Sequence, residues 1–246
     1  MLIQQTLSHL SGLHLMGMKQ ALQQQLEQPK TYDLSFEERL GLLVDYEMTY
    51  RQDKKVERLL KAARLKHTAC IEDIDYHHHR GLNREQIVAL ANGQWIKEAM
   101  NLILTGPTGL GKSWVACAFG HQACRLGLSV LYVRTSKLWE ETRLARASGA
   151  YAKLLTKLAK IDLLILDDWG LERLTAEQRR DLLDLGEERY TLKSTLITSQ
   201  IPIQAWHEVI HDPTAADAIL DRWLSRAITL ELKGESMRKT KKIDTA

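Results

Sequence analysis

Residues 106 to 113, GPTGLGKS, constrain this chain more than any other stretch. They follow directly on the aliphatic run Leu102-Ile103-Leu104 and lead into a segment of helical periodicity. A buried strand that ends in backbone-permissive residues can turn its amide N–H groups inward around an anion. The helix that begins there adds roughly half a positive charge at its N-terminus. The spacing, GxxxxGK followed by Ser or Thr between a strand and a helix, is that of a phosphate-binding loop. It predicts that Gly106, Pro107, Thr108, Gly109, Leu110, Gly111, Lys112 and Ser113 cradle the phosphates of a nucleotide. Lys112 is expected to reach the β- and γ-phosphates, and the Ser113 hydroxyl to ligate Mg²⁺. A glycine-rich turn without a ligand is the alternative, and the strand-to-helix context speaks against it.

Such a loop needs a carboxylate at the end of a second buried strand. Leu163-Leu164-Ile165-Leu166, followed by Asp167 and Asp168, supplies one. Asp167 is placed to hold Mg²⁺, and Asp168 to orient or deprotonate an attacking water. Paired acids at a strand end also form turns or caps, and it is their combination with the phosphate loop that selects the metal reading. A third aliphatic run, Thr195 to Thr198, ends on Ser199 and Gln200, a polar tip that either senses the γ-phosphate or makes an ordinary turn. Arg222 and Arg226 lie on one face of a later helical stretch. Charge developing on a γ-phosphoryl group calls for a guanidinium, and one supplied in trans is worth roughly 10³ to 10⁵ in rate. A solvated surface face is the competing reading for either arginine.

At 246 residues and 44% hydrophobic composition, the chain can bury a substantial core and has room for a large and a small domain. Residues 1–70 carry only helical patterns. Apolar residues recur at helical spacing from Leu2 to Leu26, and Ser35 with Glu38 forms a capping box ahead of Leu40, Leu43 and Val44. A further stripe runs through Val56, Leu59, Leu60 and Ala63. Residues 71–94 are expected to be a linker. From residue 95 onward, short aliphatic runs alternate with amphipathic helices, one of them a long helical stretch reaching Lys160. Strands apolar on both faces and separated by helices imply a parallel sheet between helix layers, an α/β domain of about five strands over residues 95–246.

The segments GPTGLGKS, LLILDDWG, STLITSQ and AILDRWLSRAITLELKGESMRK, in this order, resemble the IstB-like ATPases, transposition helpers of insertion sequences related to the DnaC helicase loaders within the AAA+ class. LHLMGMKQALQQQLEQP, LSFEERLGLLVDYEMTYRQDKKVERLLKAARL and IEDIDYHHHRGLNREQIVALANGQWI extend the resemblance over nearly the whole chain. It implies a P-loop NTPase of the AAA+ class with a small N-terminal all-helical domain for DNA binding or oligomerisation. Gly106 to Ser113 would be its Walker A loop, Asp167 its Walker B metal ligand, Asp168 the catalytic acid and Gln200 the first sensor. Arg222 would be the finger entering a neighbour's site, with Arg226 as the competing candidate, and Arg238 a second contact near the phosphates or DNA. Many AAA+ members have Glu where this chain has Asp168 and Asn where it has Gln200. Each replacement keeps the chemical type and changes reach by one methylene, so modest turnover is expected. The resemblance further implies ATP and Mg²⁺ as cofactors, assembly of copies through ATP-containing interfaces, and double-stranded DNA and a cognate transposase as partners. A DnaC-like loader of a replicative helicase is the alternative. A small-molecule kinase is a third class, disfavoured by Asp168, the candidate trans arginines and the lack of an acceptor-binding lid.

Net charge is only +3, but its distribution is uneven. Between residues 51 and 66, Arg51, Lys54, Lys55, Arg58, Lys61, Arg64 and Lys66 face two acids, Asp53 and Glu57. Much of this charge lies opposite the apolar stripe, so it suits a phosphate-tracking surface, although a solvated helix face has the same composition. Lys153, Lys157 and Lys160, and the tail residues Arg238, Lys239, Lys241 and Lys242, add candidate contacts. No base-reading motif is present, so backbone contacts with little sequence preference are expected. Three consecutive histidines, His77, His78 and His79, cannot converge on one metal from a helix or strand. Cys70, Cys117 and Cys124 lack metal-ligand spacing and are expected to be packed thiols in a reducing compartment. No run approaches the ~20 apolar residues of a membrane span, and no secretory leader is evident, so a cytoplasmic location without a membrane partner is expected.

Overall fold

The aliphatic runs of the second half pair as five parallel strands: β1 (Asn101–Thr105), β2 (Val130–Arg134), β3 (Leu163–Trp169), β4 (Ser194–Ser199) and β5 (Ala227–Glu231). In this computed structural model, which describes residues 2–28, 33–77 and 80–237, the spatial order is β2-β3-β4-β1-β5. Helices connect the strands, as parallel pairing demands. They are α6 (Lys112–Arg125) after β1, α7 (Thr135–Ala147) and α8 (Tyr151–Lys160) after β2, α9 (Ala176–Arg189) after β3, and α10 (Trp206–Ile210) with α11 (Pro213–Leu224) after β4.

The strands are continuous in apolar character because both faces are covered. Leu102, Leu104, Leu163, Ile165 and Leu196 join one core with Val115, Phe119 and Ala123 of α6. Their neighbours Ile103, Leu164, Leu166 and Ile197 join a second core with Leu138 of α7, Leu182 and Leu185 of α9, and Ile219 and Trp223 of α11. The period of two therefore decides which helix layer each strand residue meets. Residues 132, 167 and 198 fall on the α6 face by the same parity, which later places a carboxylate there.

Several connections differ from the sequence expectation. The helical stretch ending at Lys160 is two helices, because Gly149 turns left-handed (φ +70°) and Ala150 N–H closes back on Ala145 O at 2.7 Å. The pattern from Leu2 to Leu26 is likewise two helices, α1 (Leu2–Gly12) and α2 (Met16–Glu27). His14 adopts φ +57°, its N–H bonds to Ser11 O and the next N–H bonds to Leu10 O, which is a Schellman ending. The two later stripes instead merge into one 28-residue helix, α3 (Phe36–Ala63). Its start is the expected capping box: Ser35 N–H donates to Glu38 Oε2 at 2.8 Å, and Glu38 N–H to Ser35 Oγ at 3.2 Å.

The residues divide into two compact units, Met1–Arg58 and Leu59–Ala246. In the first, Gly17 of α2 approaches α3 so closely that a Cβ there would lie 2.8 Å from Glu47 Cα, and the buried Glu47 carboxylate accepts the Met18 N–H at 2.9 Å. Residues 59–94 belong by packing to the second unit, whereas the sequence pattern sets a boundary at 70 and a linker over 71–94. Ala63, Ala69, Ile71 and Ile74 enter the α6-side core. So do Ile87 and Leu90 of α4 (Arg84–Ala91), and Trp95 and Ile96 of α5 (Gln94–Lys97). Among the described residues, no helix is long and apolar enough to cross a membrane.

Candidate functional site

Past Thr105 the chain leaves β1 at Gly106, whose φ of +139° is closed to other residues; a Cβ there would lie 2.2 Å from Leu232 O. The loop rejoins regular structure at Gly111, the left-handed N-cap of α6 (φ +84°). No side chain caps that helix, so its leading N–H groups have no intrahelical partner and point at the loop. The Lys112 ammonium is buried and folds back on the loop, donating to Gly106 O at 2.6 Å and Pro107 O at 2.9 Å. Burial lowers the Lys112 pKa, while Asp168 and Asp167 pull it up. A buried ammonium held by carbonyls beside an uncapped helix start fits an anion with several oxygens, such as a nucleotide triphosphate.

Asp167 is fully buried at the end of β3. Its Oδ1 accepts the hydroxyls of Ser113 at 2.7 Å and Thr198 at 2.6 Å, and its Oδ2 accepts the Tyr132 hydroxyl at 2.5 Å. Strand parity and register bring these three together across β2, β3 and β4, with Ser113 contributed by the first turn of α6. Burial first, then the Asp167 contact, pushes the Tyr132 hydroxyl well above its ordinary pKa, so it remains a donor. The Ser113 and Asp167 oxygens suit a hard cation such as Mg²⁺, which typically takes one or two protein oxygens and completes its shell with phosphate and water. Among the described residues, no cluster of three or more His, Cys, Asp or Glu makes a self-sufficient metal cage.

Asp168 owes its position to a bulge. β3 and β4 pair Leu166 with Ile197 and Trp169 with Ser199, leaving one extra residue on β3. Asp168 adopts φ +60° there, and its N–H donates to Thr198 Oγ1 at 3.1 Å. Thr198 thus accepts from one acid's backbone while donating to the other's carboxylate, which fixes the two relative to each other. The bulge aims Asp168 out of the sheet's alternation, a use bulges commonly serve beside active sites. Gln200 follows β4 directly and is half-buried at the same edge of the sheet.

Arg222 lies at the other edge. It sits in the last turn of α11, which feeds β5, and Asn101 at the start of β1 binds Trp223 O at 3.0 Å and donates its N–H to Arg226 O at 2.8 Å. The five residues of β1, roughly 16 Å at about 3.3 Å each, separate this end from Gly106. The Arg222 guanidinium pairs with Glu187 and donates to Ala218 O at 2.8 Å. Arg226 is exposed at the same edge.

Arg238 lies outside the described residues, as do Lys239, Lys241, Lys242, His78 and His79. The preceding residue, Met237, donates its N–H to Gly109 O at 3.1 Å. The basic residues Arg51, Lys54, Lys55, Arg58, Lys61 and Arg64 are all exposed, on α3 or at its end. Arg51 pairs with Glu47 and Lys54 with Glu57 along the same helix. Lys153, Lys157 and Lys160 are exposed on α8.

Sequence reasoning missed Tyr132, Thr198 and Arg80. Arg80 is 4% exposed and donates to Leu110 O at 3.0 Å and Asp75 O at 3.1 Å, gripping the phosphate loop from outside. Thr198 was visible as the polar residue closing the aliphatic run Thr195 to Thr198, but nothing linear connects Tyr132 or Arg80 to the loop.

Residues 8–245 match the family model of the IstB-like ATP binding proteins. The insertion-sequence ATP-binding protein y4pL of Sinorhizobium fredii is 47% identical over 98% of this chain and 99% of its own length. The ATP-binding protein of insertion sequence IS1162 from Pseudomonas fluorescens is 51% identical over 82% of this chain and 88% of its own. Among solved structures, the DnaC helicase loader superposes with a TM-score of 0.56 at 20% identity, covering 67% of this chain and 97% of that one. The last likeness is one of fold, a parallel five-stranded sheet between helix layers.

Proposed function

This chain belongs to the IstB-like ATP-binding protein family, and on that premise we propose that it is an ATP-hydrolysing transposition helper, assembling on double-stranded DNA and delivering it to the transposase of its insertion sequence. The loop amides from Gly106 to Ser113 hold the phosphates. Lys112 exchanges its two carbonyl partners for the β- and γ-phosphate oxygens. Ser113 and Asp167 hold Mg²⁺, which when bound neutralises phosphate charge. Asp168, set outward by its bulge, orients and deprotonates the attacking water, and Gln200 reads the γ-phosphate from the end of β4. Arg238 is assigned a further contact to phosphate or DNA.

The observation that carries this reading is the placement of the cations. The cradle stands at the carboxyl ends of the strands, while Arg222 stands at their amino ends and cannot reach its own cradle. Arg222 is therefore assigned to the nucleotide of an adjoining copy, which makes hydrolysis a property of an assembly. Exposed Lys55, Arg58, Lys61 and Arg64, without ion-pair partners among the described residues, support phosphate-backbone contacts to DNA, with Arg51 and Lys54 alongside. The helicase-loader alternative draws on a fold likeness at 20% identity, while the insertion-sequence relatives match at 47% and 51%, and they favour transposition.

Size-exclusion chromatography of the protein with duplex DNA tests this reading. A multimer that forms with ATP and DNA together, and is lost in Lys112→Ala, is the expected result. A monomer throughout would point to a self-contained kinase-like enzyme. In a nucleotide titration, Lys112→Ala is expected to lose on the order of a hundredfold in ATP affinity, in line with loss of charge-assisted hydrogen bonds worth ~1.5–3 kcal/mol. Unchanged affinity would remove the cradle from the account.

A further inference from the structure

Lys66 ends the basic run but does not lie on the α3 face with the others. Past Ala63 the chain turns through Arg64, left-handed at φ +54°, and residues 65–70 run along α6 as a strap. The strap is pinned at three points. Leu65 fills the space a Cβ on Gly120 would need, since that atom would lie 2.8 Å from Leu65 Cδ2. The backbone N–H groups of His67 and Lys66 point at the buried Cys117 thiol, and Cys70 Sγ lies 3.8 Å from His121 Nδ1. Ala63 and Ala69, on either side, are fully buried.

The pinned backbone leaves Lys66 Nζ 4.0 Å from Asp167 Oδ2, the oxygen that also accepts the Tyr132 hydroxyl. The neighbouring His67 is a weaker source of charge, because burial and then Lys66 push its imidazole pKa down against the opposing pull of Asp167. Asp167 thus has a tethered cation beside it, delivered from outside the nucleotide motifs.

We propose that Lys66 is a positioning residue for the metal site, a fixed counter-cation of Asp167 whose charge weakens divalent-cation binding and so sets the Mg²⁺ level at which the nucleotide is held. This rests on the reading of Asp167 as the metal ligand. The ammonium neutralises the buried carboxylate before a metal arrives and repels the metal afterwards. Repulsion between a unit and a double charge at such separations, even with water-like screening, is on the order of tenfold in affinity.

The test uses the full chain and a fluorescent ATP analogue, with affinity measured in saturating Mg²⁺ and in EDTA. The ratio of the two affinities is the metal's contribution to nucleotide binding. Lys66→Met, which keeps the stem and removes the charge, is expected to raise that ratio about three- to tenfold. Lys66→Arg should stay within about twofold of wild type, and Lys66→Gln serves if the Met variant melts early. An unchanged or lower ratio in the neutral variants would overturn the proposal, as would Lys66→Arg moving together with Lys66→Met. Asp167→Asn separates the two layers: a ratio near one supports its ligand role, whereas a wild-type ratio would remove that role whatever Lys66 does.

Discussion

On the proposed reading, the two ends of the sheet hold opposite halves of one chemistry. The carboxyl end gathers oxygens, inward amides and a lysine around the proposed anion site: Gly106 to Ser113, Asp167, Asp168, Thr198 and Gln200. The amino end gathers guanidinium groups with no such cradle. There Arg189 is 2% exposed and spends its donors on Leu158 O, Ile161 O, Ser194 O and Thr195 Oγ1, while among the described residues Arg222 is held by an exposed Glu187 and one carbonyl. The difference teaches that two arginines at one edge do different work. Arg189 is bonded into the fold, and burial lowers its pKa to about 9, still well above neutrality. Arg222 is attached loosely enough to leave.

The comparison breaks most easily at Arg222. Arg222→Ala is expected to reduce hydrolysis by roughly 10³-fold or more while nucleotide affinity stays near wild type. Its pair with Glu187 is exposed on the acid's side and worth at most about 1 kcal/mol, so the melting temperature should hardly move. Steady-state kinetics beside a binding isotherm checks both halves. A parallel loss of affinity would place Arg222 in its own subunit's cradle and erase the distinction between the two ends.

A smaller effect sharpens the picture of the carboxyl end. Burial holds the Lys112 pKa below its ordinary value, and only the charged form pairs with phosphate. Below that depressed pKa the free protein already carries the ammonium; above it, binding must take up a proton. ATP-analogue affinity should therefore be flat through neutrality and fall on the alkaline side, by up to about tenfold per pH unit, before the usual lysine range near 10.4. Lys112→Arg should flatten the curve, and a wild-type curve level up to about pH 10 would contradict the burial argument.

Linear motifs carry the parts of this site that a single backbone segment builds. The phosphate loop, the Leu163–Asp168 strand and the Ser35–Glu38 capping box are contiguous or local, and each is found where its spacing places it. Tyr132, Arg80 and Lys66 reach the loop or Asp167 through strand register, a buried turn and a strap, and no local spacing encodes those. The breaks at His14 and Gly149 were hidden for a related reason. Hydrophobic periodicity continues through a Schellman turn, because the next helix buries the same kind of face. Residues 71–94 read as a linker because IEDIDYHHHR is polar, yet Ile71, Ile74, Ile87 and Leu90 all enter the α6-side core.

The smallest expected effect concerns α3. If its exposed basic face tracks phosphates, Lys55→Ala, Arg58→Ala and Lys61→Ala should each lower the slope of log affinity against log salt by about one, with little change in sequence preference. Slopes that stay at the wild-type value would leave this face merely solvated.

The central claim, that a cradle in one copy is completed by an arginine from another, is tested most directly by mixing two inactive variants. Asp168→Asn keeps Arg222 but loses the acid, and Arg222→Ala keeps the acid but loses the guanidinium. Combined at equal concentration with DNA and ATP, they should recover a measurable part of wild-type hydrolysis, because Asp168→Asn subunits lend Arg222 to intact cradles. Activity that stays at the sum of the two separate variants, under conditions where the multimer forms, would contradict the account.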